Sequence, residues 1–423
     1  MGVFYSMVSS VKSIRLLNRE CRLYFLGTSL NGISQGIFTI VFNLYLLKMG
    51  ISPDVLGAIL GAGPFAQALG SIPMGFLMEI IGYKKTLLFV YGISGLARIL
   101  QVATPFVPLM AISAFASGLA LAGDFVMRLP FLACNSTPEQ NTTIFSLSSI
   151  FFKISLAIGA LIGGFIPNLF QWMGMNATGA YQLLLLLAGF LSLICIIPIS
   201  MLKATPPIES SHKISLKPYL WGMDRFTVQQ AVISLFVGFS LGLTNPFMNI
   251  YFLYHLGASR EIFGLISAVA IIPILIITLV GPNFAKRVGS VRSVTILRFV
   301  IPIFTIILAL TKSIWAGMIS YWVINAVSTA SQPLSFAFAM YAARISSKAA
   351  TSAWLNVTFW LGMAIAAPIA GIYLNNADYI TPLFISAFSI LLAGLLNEIF
   401  FKRKESLILK KEQESRDYIV NSS

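Results

Sequence analysis

Twelve apolar stretches, each close to the length of a bilayer-spanning helix, are the feature that most constrains how this chain folds. A helix needs about 20 mostly apolar residues to cross the hydrocarbon core of a membrane. Because 57% of the residues are hydrophobic and only 10% are charged, a water-soluble domain could not bury this surface. The sequence therefore predicts an all-α integral membrane protein with twelve spans, at about 23–47, 55–80, 86–103, 109–132, 143–169, 181–202, 226–253, 262–284, 293–310, 314–340, 351–374 and 380–401.

Landmark residues of the first half return in the second half at a nearly constant spacing. The matched pairs are Asn43 with Asn249 at an offset of 206 residues, Gly50 with Gly257 and Gly82 with Gly289 at 207, and Gly163 with Gly371 at 208. A constant offset over several landmarks indicates an internal duplication. We therefore expect two pseudo-symmetric six-helix bundles, at 23–202 and 226–401. An N-terminal segment (1–22), a linker (203–225) and a tail (402–423) complete the chain.

Lysine and arginine residues are unevenly distributed between the loops. With both termini inside, 22 of the 28 basic residues fall in or beside cytoplasmic segments, whereas Lys48, Arg260 and Lys312 lie outside. Basic residues are retained on the cytoplasmic side of a membrane. This pattern predicts a multi-pass protein of the plasma or inner membrane, with both termini, the linker and the tail in the cytoplasm. The net charge of +14 then reflects topology, and no nucleic-acid partner is expected.

The sequence offers no recognisable catalytic or metal-binding pattern. Cys21, Cys134 and Cys195 are scattered, and His212 and His255 lack the spacing that metal ligands need. Signatures of nucleophile elbows, phosphate loops and zinc sites are also missing. We therefore expect a protein that is not an enzyme and that needs no cofactor or metal.

A polar turn between the second and third spans carries a distinctive set of residues. The set is Gly75, Glu79, Gly82, Lys84 and Lys85, with a weaker copy at Lys286, Arg287 and Gly289. This pattern resembles the major facilitator superfamily, and the resemblance extends over nearly the whole chain. It implies a secondary transporter that works by alternating access, with these residues forming a cytoplasmic gate. From the residues alone, a simple membrane-surface turn with retained lysines is the alternative.

Small residues in the fifth and eleventh spans form a second group. They are Gly159, Gly163, Gly164, Pro368 and Gly371. In the family, an antiporter signature in the fifth span is a Gly-Pro followed by a Gly-Gly pair; here Gly159, Gly163 and Gly164 match its glycines, and Ala160 replaces the proline. The resemblance therefore leans towards the antiporter-like branch that exports drugs and other small molecules. Tight helix packing without any transport role is the alternative interpretation of these residues.

Polar and aromatic side chains recur at helical spacing on spans 1, 4, 7 and 10. They are Asn31, Gln35, Phe38 and Phe42, then Ser117, then Asn245 and Asn249, then Trp322, Asn325 and Gln332. Polar groups inside a membrane are expected to face protein or water. The resemblance implies that these four spans surround a central substrate cavity. The alternative is that the amides and hydroxyls only bond neighbouring helices.

Four charged residues lie deep inside the spans of the first half. From the neighbouring turns, Asp124, Lys153 and Arg98 each lie about 16–18 Å deep at 1.5 Å per residue, and Arg128 is one helical turn from Asp124. Unpaired charges at this depth are costly, so a network of the acid and the bases is expected. Asp124 is the proton-carrier candidate, because its protonation could break and remake the ion pairs. A permanent structural ion pair is the alternative.

These inferences favour proton-coupled export of a small organic or amphipathic molecule by a protein that acts as a monomer in the lipid bilayer. Uptake of an organic anion or metabolite is an alternative, because positive charge is in excess. A membrane sensor or scaffold that does not transport is an alternative from another class.

Overall fold

The computed structural model describes residues 18–203, 223–344 and 347–422, and most of these residues lie in twelve helical segments. The predicted segment 1–22 and linker 203–225 fall largely outside this part of the chain. The helices are α1 (Arg19–Lys48), α2 (Pro53–Ile81), α3 (Tyr83–Ala103), α4 (Val107–Cys134), α5 (Pro138–Trp172), α6 (Ala177–Ile194, then Ile196–Ser200), α7 (Arg225–Thr244, then shorter turns to His255), α8 (Arg260–Val269, then Ile271–Val288), α9 (Ser290–Leu310), α10 (Ile314–Ala342), α11 (Lys348–Asn375) and α12 (Thr381–Ser422).

Eleven helices in the described part of the chain are long and apolar enough to cross a membrane. The remaining one, α10, is long enough but carries Asn325, Thr329 and Gln332 along its length. The helices begin and end within a few residues of the predicted spans, except that α12 continues to Ser422. The predicted all-α membrane fold is therefore confirmed.

The two halves share unusual backbone conformations at the positions that the repeat relates. Gly50 and Gly257 have φ values of 80° and 67°, and Gly82 and Gly289 have φ values of 80° and 96°. Side chains with a Cβ rarely adopt this left-handed region. Gly82 and Gly289 each end one helix and begin the next, so both turns need glycine. The duplication seen in the sequence is thus present in the backbone.

Helices within each half approach closely where glycines remove the side chain. A Cβ added to Gly36 in α1 would lie 2.8 Å from Cα of Gly159 in α5. At the equivalent crossing, a Cβ on Gly242 in α7 would lie 2.7 Å from Cα of Met363 in α11. Small residues permit such contacts in membranes, where van der Waals packing holds helices together.

The two halves meet through small residues of α2, α5, α8 and α11. Gly57 in α2 faces Pro368 and Gly371 in α11, and Gly164 in α5 faces Gly264 in α8. These crossings lie near the turns at 49–52 and 256–259, on the side that the charge count assigns to the exterior. Gly163 packs instead on Ile40 of α1 within the first half.

Candidate functional site

A buried carboxylate in the first half accepts hydrogen bonds from three helices. Asp124 in α4 is 4% exposed. Its Oδ1 accepts from the hydroxyl of Tyr91 at 2.8 Å and from that of Tyr24 at 3.3 Å, and its Oδ2 accepts from Nη2 of Arg128 at 2.7 Å. The Asp124–Arg128 pair spans one turn of α4, the spacing at which helical side chains meet. The acid is therefore charge-balanced and held from α1, α3 and α4.

The other two predicted members of the charge network lie apart from the carboxylate. Nη1 of Arg98 donates to Ser34 Oγ at 2.6 Å, and its guanidinium lies 5.6 Å from the ring centroid of Phe38. None of the ion pairs found among the described residues includes Arg98 or Lys153. The α3 residue at the level of Asp124 is Tyr91, which precedes Arg98 by two turns, or about 10 Å. Only Arg128 of the three predicted bases therefore contacts Asp124.

Arg128 connects this cluster to a more accessible surface. Its side chain is 18% exposed, compared with 5% for that of Asp124. The guanidinium lies over Phe152 of α5 at 4.9 Å from the ring centroid, a distance typical of a cation–π contact. Arg128 is therefore the more exposed member of this ion pair.

A polar cavity of about 80 Å³ lies between α7 and α10. Its lining includes three predicted residues, Asn245, Asn325 and Gln332, together with Ser328 and Thr329. The buried Ser328 Oγ has no hydrogen-bond partner among the described residues. The cavity presents amides and hydroxyls, which can donate and accept hydrogen bonds.

Several other predicted cavity residues bond neighbouring helices. Asn31 Oδ1 accepts from Ser192 of α6 at 3.0 Å, and Trp322 Nε1 donates to the Ile266 carbonyl of α8 at 2.8 Å. Ser117 is buried in α4, and the rings of Phe38 and Phe42 lie 5.6 Å apart in α1. Gln35 is half-buried, and its Oε1 has no partner in the part of the chain that is described.

Asn249 joins the two halves and is not part of the cavity lining. Its Nδ2 donates to the Ile40 carbonyl at 3.2 Å, and its Oδ1 accepts from Asn43 Nδ2 at 3.0 Å. Asn43 also donates to the Pro246 carbonyl at 2.5 Å. The two asparagines that the repeat equates therefore pair across the interface between the halves.

A second polar contact joins the halves on the same side. Arg260 in α8 donates from Nε to the Gly164 carbonyl at 2.9 Å and from Nη2 to Asn168. Its guanidinium also lies over Tyr181 and contacts Glu261. Nothing in the sequence pattern singled out Asn168 or Tyr181, because neither lies on a predicted stripe.

The predicted gate residues lie at the opposite end of the helices. Glu79 is half-buried and makes no hydrogen bond or ion pair among the described residues, and Lys84 is also partly exposed. Lys85 and Arg287 are exposed, and the side chain of Lys286 lies outside the described part. The atom nearest to a Cβ on Gly75 belongs to Val126 of the same half, at 3.7 Å. In this conformation the halves are bonded at the predicted outer side, and Glu79 is unpaired in the part of the chain that is described.

Sequence reasoning missed the two tyrosines that hold Asp124. Tyr24 and Tyr91 carry no charge, so a count of ionisable groups in the spans passes over them. Both hydroxyls are fully enclosed by protein, and only the three-dimensional packing of α1 and α3 brings them to the carboxylate.

Two equivalent six-helix halves that close on one side around polar groups form the architecture of a membrane transporter. The family model of the Major Facilitator Superfamily matches residues 24–223 and 231–418. The chain therefore belongs to the Major Facilitator Superfamily, and it is a multi-pass membrane protein of the transporter class.

Known relatives are similar to this chain mainly in fold. An uncharacterized MFS-type transporter, YfkF of Bacillus subtilis (strain 168), is 24% identical over 147 residues, which is 35% of this chain and 36% of YfkF. The match thus spans about a third of that relative. A mutant of the nucleoside transporter NupG has a TM-score of 0.77 at 14% identity, over 91% of this chain and 100% of the NupG chain. A bacterial homologue of the human lysosomal transporter Spinster, inward-facing and occupied, has a TM-score of 0.69 at 14% identity, over 90% and 95% of the two chains.

Proposed function

We propose that this transporter exports a small organic or amphipathic molecule in exchange for protons, by alternating access of its two halves. The substrate occupies the α7–α10 cavity, and Asp124 carries the proton. The contacts at Asn43, Gly57 and Arg260 close the outer side, and the loop around Glu79 closes the cytoplasmic side in the opposite state. The protein works as a monomer in the plasma or inner membrane, with both termini in the cytoplasm.

The environment of Asp124 is the observation that carries this proposal. Among the described residues it is the acid that is buried deep within a membrane span, and its ion pair reaches a partly exposed arginine. An ionisable residue inside a membrane marks an ion or proton pathway by default. Protonation would remove the charge that binds Arg128, so the contacts of α4 would change with the state of the carboxylate.

Uptake of an organic anion in symport with protons is the second candidate. Arg98 supports it, because this cation is almost fully buried and pairs with no acid in the described chain. Efflux and uptake differ in the direction of substrate flux under an inward proton gradient, so one transport assay separates them. A sensor or scaffold would show neither flux.

The test measures gradient-driven accumulation of a compound in vesicles that contain the purified protein. The compound is the one that raises the Tm of the protein most in a thermal screen of metabolites and drugs. Asp124→Asn should abolish accumulation, because the variant binds no exchangeable proton. Glu398→Gln is the matched control, because Glu398 also pairs with a base one turn away but is more exposed, near the predicted cytoplasmic end of α12. Full accumulation by Asp124→Asn would exclude the proposed proton carrier, and no flux by wild type would favour the scaffold.

A further inference from the structure

The second half contains a buried arginine whose charge no described carboxylate balances. Arg298 in α9 is 4% exposed, and its Nη2 donates to Ser335 Oγ in α10 at 3.2 Å. Its Nε and Nη1 are buried without a hydrogen-bond partner among the described residues. None of the ion pairs found in the described part of the chain includes it. A buried charge without a partner is expensive, and in a membrane protein it points to a ligand pathway.

The internal repeat relates Arg298 to the Asp124 cluster of the first half. At the offset of 207 residues, the equivalent pairs are Tyr91 with Arg298, Asp124 with Ser331 and Arg128 with Ser335. Helices α1 and α7 are related by an offset of 206 residues, which pairs Tyr24 with Gln230. In the first half, these positions hold an acid and a base that neutralise each other. The second half has serines in place of both the acid and the base, and it carries Arg298 at the position of Tyr91.

A second side chain at these equivalent positions is also unsatisfied. Gln230 is 1% exposed, and neither its Nε2 nor its Oε1 has a hydrogen-bond partner among the described residues. Buried polar groups in proteins are normally hydrogen-bonded. In the described chain, the second-half equivalent of the Asp124 cluster therefore lacks a negative charge, and the Gln230 amide and two nitrogens of Arg298 have no hydrogen-bond partner.

Ser335, which Arg298 contacts, lies on the same face of α10 as residues that line the α7–α10 cavity. Asn325, Ser328 and Gln332 line this cavity, and Ser335 follows Gln332 by about one helical turn. Ser335 is the residue that Arg298 contacts. The unpaired guanidinium therefore adjoins the cytoplasmic end of the polar stripe.

We propose that Arg298 binds the carboxylate of the transported molecule, whose other polar groups occupy the α7–α10 cavity. The substrate class is a small organic acid that carries hydroxyl or amide groups. The free Nε or Nη1 donor, together with the second N–H of Nη2, presents a two-bond arrangement to a carboxylate. This proposal rests on the proposed transport function, because it takes the cavity as the substrate site, and it names the chemical group that the substrate must carry.

The test is thermal unfolding of the purified full-length protein with matched pairs of probes: gluconate and gluconamide, lactate and lactamide, benzoate and benzamide. At least one carboxylate should raise the Tm of the wild type more than its neutral amide does. In Arg298→Gln the affinity for that carboxylate should fall about tenfold or more, because a charge-assisted pair is lost. Arg344→Gln removes an exposed arginine from the same half and should leave the affinity unchanged.

Two controls keep the outcome decisive. Without ligand, Arg298→Gln should unfold at the same Tm as the wild type or at a higher one, because the substitution removes an unpaired buried charge. A lower Tm would assign Arg298 a structural role and overturn the proposal. Arg298→Lys keeps the charge and should retain part of the stabilisation. Equal stabilisation by carboxylates and amides, or stabilisation that survives in Arg298→Gln, would also overturn it. Carboxylate binding without any transport in vesicles would instead contradict the proposed function and leave this site intact.

Discussion

The two halves have matching turns and helix crossings but different buried polar groups. Gly82 and Gly289 adopt the same left-handed turn, and Gly36 and Gly242 serve equivalent helix crossings. In contrast, Asp124 is neutralised by Arg128 in the first half, whereas Arg298 has no acid in the described part of the second. The comparison teaches that packing residues preserve the duplicated fold, while substitutions at equivalent interior positions give each half its own chemistry.

The largest expected effect concerns the glycine helix crossings, which the two halves share. Gly36→Val and Gly242→Val should each lower the yield of folded protein about tenfold, because overpacking a helix crossing costs about 1–3 kcal/mol and occasionally more. Fluorescence-detected size-exclusion chromatography measures this yield. Gly75→Val is the control, because a Cβ there meets its nearest atom only at 3.7 Å. A normal yield for either variant would break the claim that both halves depend on the same packing.

The fold was largely predictable, because span length and hydropathy directly report what a bilayer demands. The repeat offset also pairs Gly82 with Gly289, and both adopt a positive φ. The site was less predictable, because counting residues from the loops does not fix the level of one helix relative to another. Depth counting put Arg98 beside Asp124, but the chain places Tyr91 there. Likewise, Asn249 has the polarity of a cavity residue, but packing of the halves directs it to Asn43.

A second prediction uses the equivalent asparagines that join the halves. Asn249→Ala should increase outward opening more than Asn43→Ala, because Asn249 bonds two backbone carbonyls of α1 as well as Asn43. Each hydrogen bond contributes about 1 kcal/mol, or a factor of about five in the equilibrium. The measurement is labelling of a cysteine at Gln35 by an impermeant reagent from outside. Unchanged labelling in both variants would show that these bonds do not hold the outer side closed.

The smallest effect is expected at the cytoplasmic loops. Glu79 makes no hydrogen bond or ion pair among the described residues. Glu79→Gln should therefore change the free energy of unfolding by no more than about 0.5 kcal/mol. It should slow transport severalfold, because the closed cytoplasmic state loses a charged contact. Lys286→Gln, at the equivalent position of the second half, should slow transport less. Wild-type transport rates in both variants would show that the loop is a surface turn without a role in gating.

The most direct measurement compares Asp124→Asn and Arg298→Gln in the same vesicles. It records exchange of a labelled carboxylate, identified in the thermal assay, with and without a proton gradient. The account predicts that Asp124→Asn retains exchange and loses gradient-driven accumulation, whereas Arg298→Gln loses both, because only the second variant removes the substrate contact. Loss of exchange in Asp124→Asn, or normal exchange in Arg298→Gln, would contradict the division of proton and substrate between the two halves.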